Sequence, residues 1–378
     1  MIQVDLPLEH IRRWMFGAAL PLWAEAGVDR RHGGYVEQLD FRGRDAGADL
    51  KRTRVTCRQI YVFSHAALLG WDRGDEAARH GLAFLDRAWL GPDRGFARAL
   101  TREGKIADAT PDLYDLAFCL FALSWRQKLG PDAAAMDRCL QTLDFIDTRM
   151  RGPGGGFLHA LPAEGPRRQN PHMHLLEAAL VGWEATGHPR FEALARELVE
   201  LFCGALFDGR TLREHFGPAW ERLETDEGRI TEPGHQFEWA WILSEYGRLS
   251  GGVRSEAIRA LVAGAEAHGV DPATHATFQQ VRDDGTPLDR SSRCWPNTER
   301  LKAQVALSDT FGDDVRSPLA GSANLLLDRY LATEIPGLWV DQFDAEGQPM
   351  SRVVPASTLY HLFLAFAETL RIAPRLVG

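Results

Sequence analysis

The sequence contains one motif six times at a nearly constant spacing, and this repeat limits the fold more than any other feature. Each copy opens with an apolar residue and alternates briefly. Most copies then reach an Asp/Glu-Gly type turn, which is typical of a short β-hairpin or extended loop. The lead aromatic residues lie 61, 61, 59, 62 and 61 positions apart: Tyr35, Phe96, Phe157, Phe216, Phe278 and Trp339. Such a period indicates a fold assembled from repeated units.

Two helical patterns lie between successive copies of the motif. The first member of each pair is apolar and aromatic almost all round, as in "YDLAFCLFALSW", which is typical of a buried helix. The second member keeps a charged face, as in "RFEALARELVELF". Only one helix follows the sixth copy, and the N-terminal pattern "LEHIRRWMFGAALPLWAEA" supplies its partner. The sequence therefore predicts twelve helices.

Six buried helices inside six amphipathic ones predict an all-α fold, an (α/α)6 barrel with short β-hairpins leading into the inner helices. The first and last copies of the motif nearly match, "YVEQLD" against "WVDQFD", which favours a closed ring. A linear solenoid of helical hairpins is the alternative. We expect residues 1–378 to form a single domain of the barrel type.

Charge and cysteine usage narrow the classes of partner. The formal charge is −9, so the composition does not indicate the basic surface that is typical of nucleic-acid-binding proteins. No apolar run approaches the roughly 20 residues that a membrane span needs. The five cysteines are odd in number and scattered, which is typical of reduced thiols, and "MIQVDLPLEH" lacks the basic and apolar regions of a signal peptide. We therefore expect a cytoplasmic monomer or homodimer without nucleic-acid or membrane partners.

Each predicted hairpin leads directly into an inner helix, so all six inner helices should begin at the same end of the barrel. Side chains near those starts would then surround a common mouth, and pairs three or four residues apart share a helical face. The residues at these positions are, in chain order, Arg54 and Arg58, Asp112 and Tyr114, Asn170 and His174, His235 and Glu238, Trp295 and Glu299, and Ser357 and His361.

Metal binding, glycoside hydrolysis and nucleophilic catalysis are three possible functions of this ring of side chains. Three histidines that meet across a barrel are able to bind zinc, although the sequence has no H-E-x-x-H motif and no chelating helical pair. A glycoside hydrolase would need two carboxylates, for which Asp112 and Glu238 are candidates, but it leaves the histidines unexplained. Nucleophilic catalysis fits poorly because no G-x-S-x-G motif occurs and no cysteine adjoins a histidine of the ring.

Proton transfer fits the ring better than these alternatives. Histidine titrates near neutral pH, so it is able to take a proton and return one within a single turnover. Arg58 is placed to stabilise an oxygen on which negative charge develops. Carboxylates and Asn170 are suited to sugar hydroxyls, and Trp295 and Tyr114 are suited to packing against a sugar ring.

Six segments carry a family resemblance, in order and over nearly the whole chain: "RQIYVFSHA", "DLYDLAF", "NPHMHLLEA", "EPGHQFEWAWIL", "CWPNTERLKA" and "STLYHLFLAF". They resemble the N-acylglucosamine 2-epimerase superfamily of (α/α)6 barrels. Within that superfamily the forms "EPGH-x-FEW" and "YHLFLA" are similar to the aldose–ketose isomerases of the mannose isomerase type. The epimerases usually have a Pro-Arg pair soon after the final histidine, and this sequence has none.

The resemblance implies a metal-free cis-enediol mechanism without a cofactor. Position by position, His235 and His361 match the proton-transferring pair. The residues that match substrate contacts are Arg58, Tyr114, Asn170, His174, Glu238, Trp295 and Glu299. One departure stands out: Arg54 occupies a place where some isomerases have tryptophan, and we expect it to contact the substrate and change selectivity, in the direction of an anionic sugar.

The resemblance implies an isomerase that interconverts D-mannose and D-fructose, or a close sugar pair, and a small monosaccharide as the partner. The alternative is a sugar 2-epimerase that acts on N-acylglucosamine or on a disaccharide such as cellobiose. A non-enzymatic helical scaffold is a further alternative, which would show no sugar turnover.

Overall fold

The computed structural model describes residues 5–377; residues 1–4 and 378 of the predicted domain lie outside the described residues. Within residues 5–377 the chain forms twelve helices, numbered α1 to α12. Helix α1 comprises Leu8–Arg12, a π-helical stretch at Arg13–Ala19 and Leu20–Glu25. The others are α2 Thr53–Leu68, α3 Gly74–Leu85, α4 Leu113–Leu129, α5 Ala133–Arg149, α6 Asn170–Thr186, α7 Pro189–Leu201, α8 Pro233–Ser250, α9 Ser255–Gly269, α10 Cys294–Phe311, α11 Arg316–Leu325 and α12 Leu359–Val377.

The helices alternate between an outer and an inner layer, which confirms the predicted (α/α)6 barrel. The even-numbered helices are inner, and α8 is buried along most of its length because its residues are apolar almost all round. Outer helix α7 buries Phe191, Leu194, Ala195, Leu198 and Val199, a spacing that presents one face to the barrel. Two outer helices continue into π-helical turns that the sequence did not predict, Phe202–Leu206 after α7 and Leu326–Tyr330 after α11.

Helix ends follow their local sequences. The Asp112 side chain accepts hydrogen bonds from the backbone N–H groups of Tyr114 and Asp115 and so caps the start of α4. At the other end of the barrel, α8 and α10 stop at Gly251 and Gly312, whose φ angles of 72° and 71° suit glycine. The Asp112 cap fixes where α4 begins and so places Tyr114 at the mouth.

Short antiparallel strands connect neighbouring repeats around the mouth, in addition to the pairings that close individual hairpins, such as Ala99–Thr101 with Ile106–Asp108. The segment before each inner helix pairs with the opening segment of the next repeat: Leu50–Arg52 with Ala99–Thr101, Asp112 with Ala160, Arg167–Arg168 with His215–Phe216, Ile230–Thr231 with Gln280–Arg282, Ser292–Arg293 with Gln342–Phe343, and Val354–Pro355 with Gln38–Leu39. The last pair joins the sixth repeat to the first. The remaining strands are Trp89–Gly91, Gly95–Phe96, Ile106–Asp108 and Pro287–Asp289.

Closure of the ring also involves the helices, which rules out the linear solenoid. Helix α12 packs against both α2 and α10, so the last inner helix has a neighbour on each side. The Trp23 indole N–H of α1 donates to the Gly337 carbonyl at 3.1 Å, and its ring stacks on Trp339. All six lead aromatics of the repeat are buried, which explains their constant spacing: each anchors one loop to the barrel. Within residues 5–377 no helix has the length and apolar character to cross a membrane.

Candidate active site

A cavity of about 330 Å³ opens at the end of the barrel where the inner helices begin. This volume falls at the small end of the roughly 300–1,000 Å³ typical of small-molecule sites. Eight of the ten site residues predicted from the sequence line it: Arg58, Tyr114, Asn170, His174, His235, Glu238, Trp295 and His361. The repeat brings them together because each lies within the first two turns of its helix.

Trp295 forms a wall shared by two histidines. Its ring centroid lies 5.0 Å from that of His235 and 5.6 Å from that of His361. The indole approaches so closely because Gly234 precedes His235: a Cβ atom at that position would come within 2.7 Å of the Trp295 ring. The "PGH" sequence at the start of α8 thus lets α8 and α10 converge on the cavity.

His235 lies between two carboxylates. Its Nδ1 atom is 3.0 Å from Oε2 of Glu214 and 3.5 Å from Oε2 of Glu232. Burial by itself lowers the pKa of a histidine, but here the charges of Glu214 and Glu232 prevail and raise the pKa of His235 to about 10. His235 is therefore an imidazolium at neutral pH and is able to donate a proton.

His361 has the opposite electrostatic setting. Its Nδ1 atom lies 2.7 Å from Oε1 of Glu299. Burial above all, followed by the positive charges of Arg58 and Lys302, holds the pKa of His361 well below its usual value of 6.5. His361 is therefore neutral at physiological pH and is able to accept a proton. One cavity thus contains an acid and a base of the same residue type.

His174 belongs to a buried hydrogen-bond chain. Its Nδ1 atom lies 3.1 Å from Oε2 of Glu177, and Glu177 also accepts a hydrogen bond from the Tyr360 hydroxyl at 2.6 Å. Burial lowers the pKa of His174 to about 4, so this ring is neutral as well. His172, two residues earlier, faces away from the cavity and accepts a hydrogen bond from the Phe157 backbone N–H, which gives it a structural role.

Arg58 brings a buried positive charge to the cavity without a carboxylate within ion-pair distance in the described part of the chain. It donates to the Tyr114 hydroxyl at 2.7 Å and to the Ser357 carbonyl at 3.5 Å, while its Nε atom has no partner. The guanidinium lies 4.3 Å from the Phe118 ring centroid and 5.1 Å from that of Tyr360. A buried cation with spare donors is suited to an oxygen that gains negative charge.

Glu238 is the least satisfied acid in the cavity. It is fully buried, and neither of its carboxyl oxygens has a hydrogen-bond partner among the described residues. Burial first, and then the nearby negative charge of Glu299, raises the pKa of Glu238 well above its usual value. Glu238 is thus a neutral carboxylic acid, able to donate one hydrogen bond to a ligand hydroxyl and accept another.

Two predicted site residues do not line the cavity. Arg54 instead pairs with Asp115, with 3.1 Å between its guanidinium and Oδ2 of that carboxylate. Glu299 lies one layer behind the cavity, between His361 and Lys302. Contact between these two residues and a substrate therefore stays a prediction. In the structure Arg54 contacts Asp115 and Glu299 contacts His361.

The cavity also contains residues that the sequence did not single out as site residues: Arg168, Glu214, His215, Glu232, Gln279, Arg293 and Thr358. Arg168, His215 and Arg293 belong to the inter-repeat strands, whose side-chain directions a repeat pattern does not specify. Glu214, Glu232 and Gln279 each lie directly beside such a strand. Glu232 was within reach of sequence reasoning because it lies three residues before His235, so that the chain brings the two side chains together.

Two groups of buried side chains have potential metal-ligand atoms within 4.8 Å of one another: His174 with Glu177 and Glu238, and Glu238 with Glu299 and His361. In the described part of the chain, no such group unites the three histidines. The Lys302 ammonium lies among these carboxylates, 2.6 Å from Oε2 of Glu299. A cation of the protein itself therefore already offsets their charge, and the groups fit a metal poorly.

The chain is similar to proteins of known sugar chemistry. The family N-acylglucosamine 2-epimerase (GlcNAc 2-epimerase) matches residues 34–365. A mannose-6-phosphate isomerase of Rhizobium meliloti is 36% identical, with 97% of each chain covered. A D-mannose isomerase of Thermobifida fusca is 28% identical over 97% of this chain and 96% of its own. The structure of a cellobiose 2-epimerase from Bacillus thermoamylovorans superposes with a TM-score of 0.86 at 20% identity, covering 96% of this chain and 98% of the other.

Proposed function

Because the chain belongs to the N-acylglucosamine 2-epimerase family and is a sugar isomerase or epimerase, we propose that it interconverts D-mannose and D-fructose, or a close aldose–ketose pair. The reaction passes through a cis-enediol intermediate by proton transfer between histidines. The observation that carries this proposal is the pair of histidines beside Trp295: His235 contacts Glu214 and Glu232, His361 contacts Glu299, and the pKa values of the two rings are shifted in opposite directions. Pairs of titratable groups with separated pKa values identify acid and base partners.

In the first half of the reaction His361 is the base. Its unprotonated Nε2 atom removes the C2 proton of the open-chain aldose, and the C2–H electrons form the C1–C2 double bond. The carbonyl electrons move to O1, which takes a proton from His235. The product is a neutral cis-enediol, with His361 now protonated and His235 neutral.

In the second half the two histidines exchange roles. His235 removes the O2 proton, the C2–O2 double bond forms, and C1 takes the proton that His361 carries. The ketose is complete, and both histidines have returned to their starting states. Each proton transfer of this type contributes roughly 10²- to 10⁴-fold to the rate.

Arg58 and the polar cavity wall support the charge and shape of this intermediate. Negative charge passes through O1 and O2 during the two halves, and the spare donors of Arg58 suit those oxygens. Asn170, whose buried Oδ1 atom has no hydrogen-bond partner among residues 5–377, and the neutral Glu238 supply hydrogen bonds for sugar hydroxyls. We assign substrate contact to these residues together with Tyr114, His174 and Trp295.

We propose that the reaction needs no metal. The carboxylates of the two groups with potential metal-ligand atoms lie around the Lys302 ammonium, and the proposed acid and base are both side chains. Activity should survive exhaustive chelation with EDTA. Loss of activity that zinc or manganese restores would contradict this part of the proposal.

The alternative is epimerisation at C2, which the names of several relatives favour. An epimerase would use His235 to return a proton to the opposite face of C2. Incubation of the enzyme with D-mannose, followed by NMR, separates the two: fructose supports the isomerase, and glucose supports the epimerase. Conversion of cellobiose to a mannose-ended disaccharide would also support the epimerase.

A phosphorylated sugar is the second candidate substrate. Its basis is the 36% identical relative and the Arg168 side chain at the exposed rim of the cavity. The same NMR assay with D-mannose 6-phosphate measures this preference, and Arg168→Gln should lower kcat/KM for the phosphorylated sugar alone. Glu164→Gln, an exposed change in the same loop, is the matched control.

We further propose that the enzyme works in the cytoplasm as a monomer or homodimer. The five cysteines are free thiols, and four of them are buried, which suits a reducing compartment. Light scattering coupled to gel filtration measures the oligomeric state directly.

A further inference from the structure

Lys302 is a fully buried lysine on inner helix α10, one turn behind the cavity. Its ammonium lies 2.6 Å from Oε2 of Glu299 and 4.2 Å from the ring centroid of Trp241. Its side chain has no exposed surface, and burying a charge in this way is costly unless the charge is paired. The buried charge of Lys302 therefore calls for a functional explanation, and Lys302 takes no part in the proton transfers of the proposed reaction.

Glu299 connects Lys302 to the proposed base. One carboxyl oxygen of Glu299 meets the Lys302 ammonium, and the other lies 2.7 Å from Nδ1 of His361. A carboxylate at this distance accepts the Nδ1 hydrogen, which leaves the Nε2 atom of His361 unprotonated. A neutral imidazole carries only one ring hydrogen, so the partner of Nδ1 decides which nitrogen is the base.

Burial raises the pKa of Glu299, whereas the charge and hydrogen bond of Lys302 oppose that rise and favour the carboxylate. Three carboxyl groups, those of Glu177, Glu238 and Glu299, lie around the single ammonium of Lys302. Glu177 is held by hydrogen bonds from Tyr360 and His174, whereas neither carboxyl oxygen of Glu238 has a hydrogen-bond partner within residues 5–377. Glu238 is therefore the group that takes a proton, and Glu299 keeps its charge beside Lys302.

We infer that Lys302 is a positioning residue: by holding Glu299 as a carboxylate, it fixes the hydrogen of His361 on Nδ1 and keeps Nε2 free to act as the base. This inference rests on the proposed function, in which His361 removes the C2 proton. The other charged or titratable groups that face His361 are Arg58 of α2, His174 and Glu177 of α6, Glu238 of α8 and the adjoining Tyr360.

Removal of the Lys302 ammonium should move the hydrogen of the His361 ring from Nδ1 to Nε2. Without Lys302, three buried carboxyls share no cation, and Glu299 takes a proton. A protonated Glu299 donates its hydrogen to Nδ1 of His361, so the ring hydrogen moves to Nε2 and the base is blocked. A histidine held in the wrong tautomer costs a serine protease about 10⁴-fold in kcat, which shows the scale of such an effect.

The test combines a direct measurement of the tautomer with kinetics. ¹⁵N-labelled histidine NMR of the ligand-free enzyme distinguishes an Nδ1–H from an Nε2–H ring, and the spectrum of His361→Asn assigns the His361 signal. The variants are Lys302→Met, Lys302→Arg and Glu299→Gln. Gln304→Met is the matched control, because Gln304 is buried on the same helix but donates to Ser322 of outer helix α11.

We expect His361 of the wild-type enzyme to carry its hydrogen on Nδ1. Lys302→Met and Glu299→Gln should each shift it to Nε2 and lower kcat by about 10²- to 10⁴-fold with a small change in KM. Lys302→Arg keeps the positive charge and should keep the wild-type tautomer, and Gln304→Met should change neither quantity. The Lys302→Met/Glu299→Gln double variant should be no slower than Glu299→Gln alone, because the two residues act as a unit.

Two results would overturn the inference. One is a wild-type His361 with its hydrogen on Nε2, which needs no variant and so does not depend on the folding of Lys302→Met. The other is a folded Lys302→Met enzyme with the wild-type tautomer and a kcat near that of the wild type. Failure of the proposed function is a separate outcome: it would appear as a wild-type enzyme that converts no aldose, whatever the tautomer of His361.

Discussion

The Nδ1 atom of His235 lies 3.0 Å from Oε2 of Glu214, a residue that precedes it by 21 positions and comes immediately before the strand His215–Phe216. This contact sets the charge of the proposed acid. A histidine at the start of a helix, where the macrodipole is positive, is not by itself favoured as a cation. Glu214, with Glu232, reverses that tendency and keeps a proton on His235 at neutral pH.

The first prediction concerns the pH profile of kcat/KM. The base works only when His361 is unprotonated, that is above its pKa, and the acid works only when His235 is protonated, below its pKa. The pKa of His361 lies well below 6.5 and that of His235 is about 10. We therefore expect kcat/KM to stay flat as the pH falls through 6.5 and to decline only near pH 10. A narrow bell centred on neutral pH would contradict the assignment.

The second prediction concerns the carboxylates beside His235. Glu214→Gln and Glu232→Gln each remove a negative charge that raises the pKa of His235, so each should move the alkaline decline of kcat/KM to lower pH. The control is Glu224→Gln, in the same loop region with an 82% exposed side chain, which should leave the profile in place. An alkaline limb that does not move in either cavity variant would show that another group governs it.

The third prediction concerns Arg58. If its spare donors bind oxygens that gain charge during the reaction, Arg58→Met should lower kcat by about 10²- to 10³-fold, the usual scale for loss of one such donor group. Arg58→Lys should recover part of this loss, because lysine restores the positive charge but lacks the several coplanar N–H donors of the guanidinium. Steady-state kinetics on both variants make the comparison. A raised KM with unchanged kcat would instead indicate uniform binding of substrate and transition state.

The fourth prediction concerns Arg54, which the sequence placed among the substrate contacts. The Arg54 guanidinium pairs with the Asp115 carboxylate, and Asp115 is itself 1% exposed. Arg54→Gln removes the cationic partner of that buried carboxylate, which keeps the hydrogen bond from the backbone N–H of residue 54, so the melting temperature should fall. The ratio of kcat/KM between D-mannose and D-mannose 6-phosphate should stay the same. A changed ratio would indicate that Arg54 contacts the substrate.

The repeat explains why so much of this arrangement was predictable. A constant spacing of aromatic anchors places every inner helix start at one end, so residues such as His235 and His361 can be assigned to a common mouth without knowing any distance. Glu214 escapes that reasoning because it lies outside the inner helices, immediately before the strand His215–Phe216, and the pairing of that strand with Arg167–Arg168 brings it to the cavity.

Lys302 and Glu177 illustrate a different limit. Both are charged residues inside helices that the sequence predicts to be buried. A charge at a buried position is visible in the sequence and indicates that the residue has a specific partner. Their role depends on contacts between neighbouring inner helices, such as that of Glu177 on α6 with Tyr360 on α12, 183 positions apart. Periodicity within one helix cannot supply such a contact. The tertiary structure was needed to show that the carboxylates surround a lysine.

The measurement that tests the central claim most directly is the conversion of D-mannose in deuterated water by the wild-type enzyme, followed by NMR at C1 of the fructose formed. His361 carries the proton between C2 and C1 in this account, and its N–H exchanges with solvent. We predict deuterium at C1 of fructose, and loss of about 10²- to 10⁴-fold in kcat for His361→Asn. Fructose formed without any solvent deuterium would contradict the account, because it would require direct hydride transfer from C2 to C1.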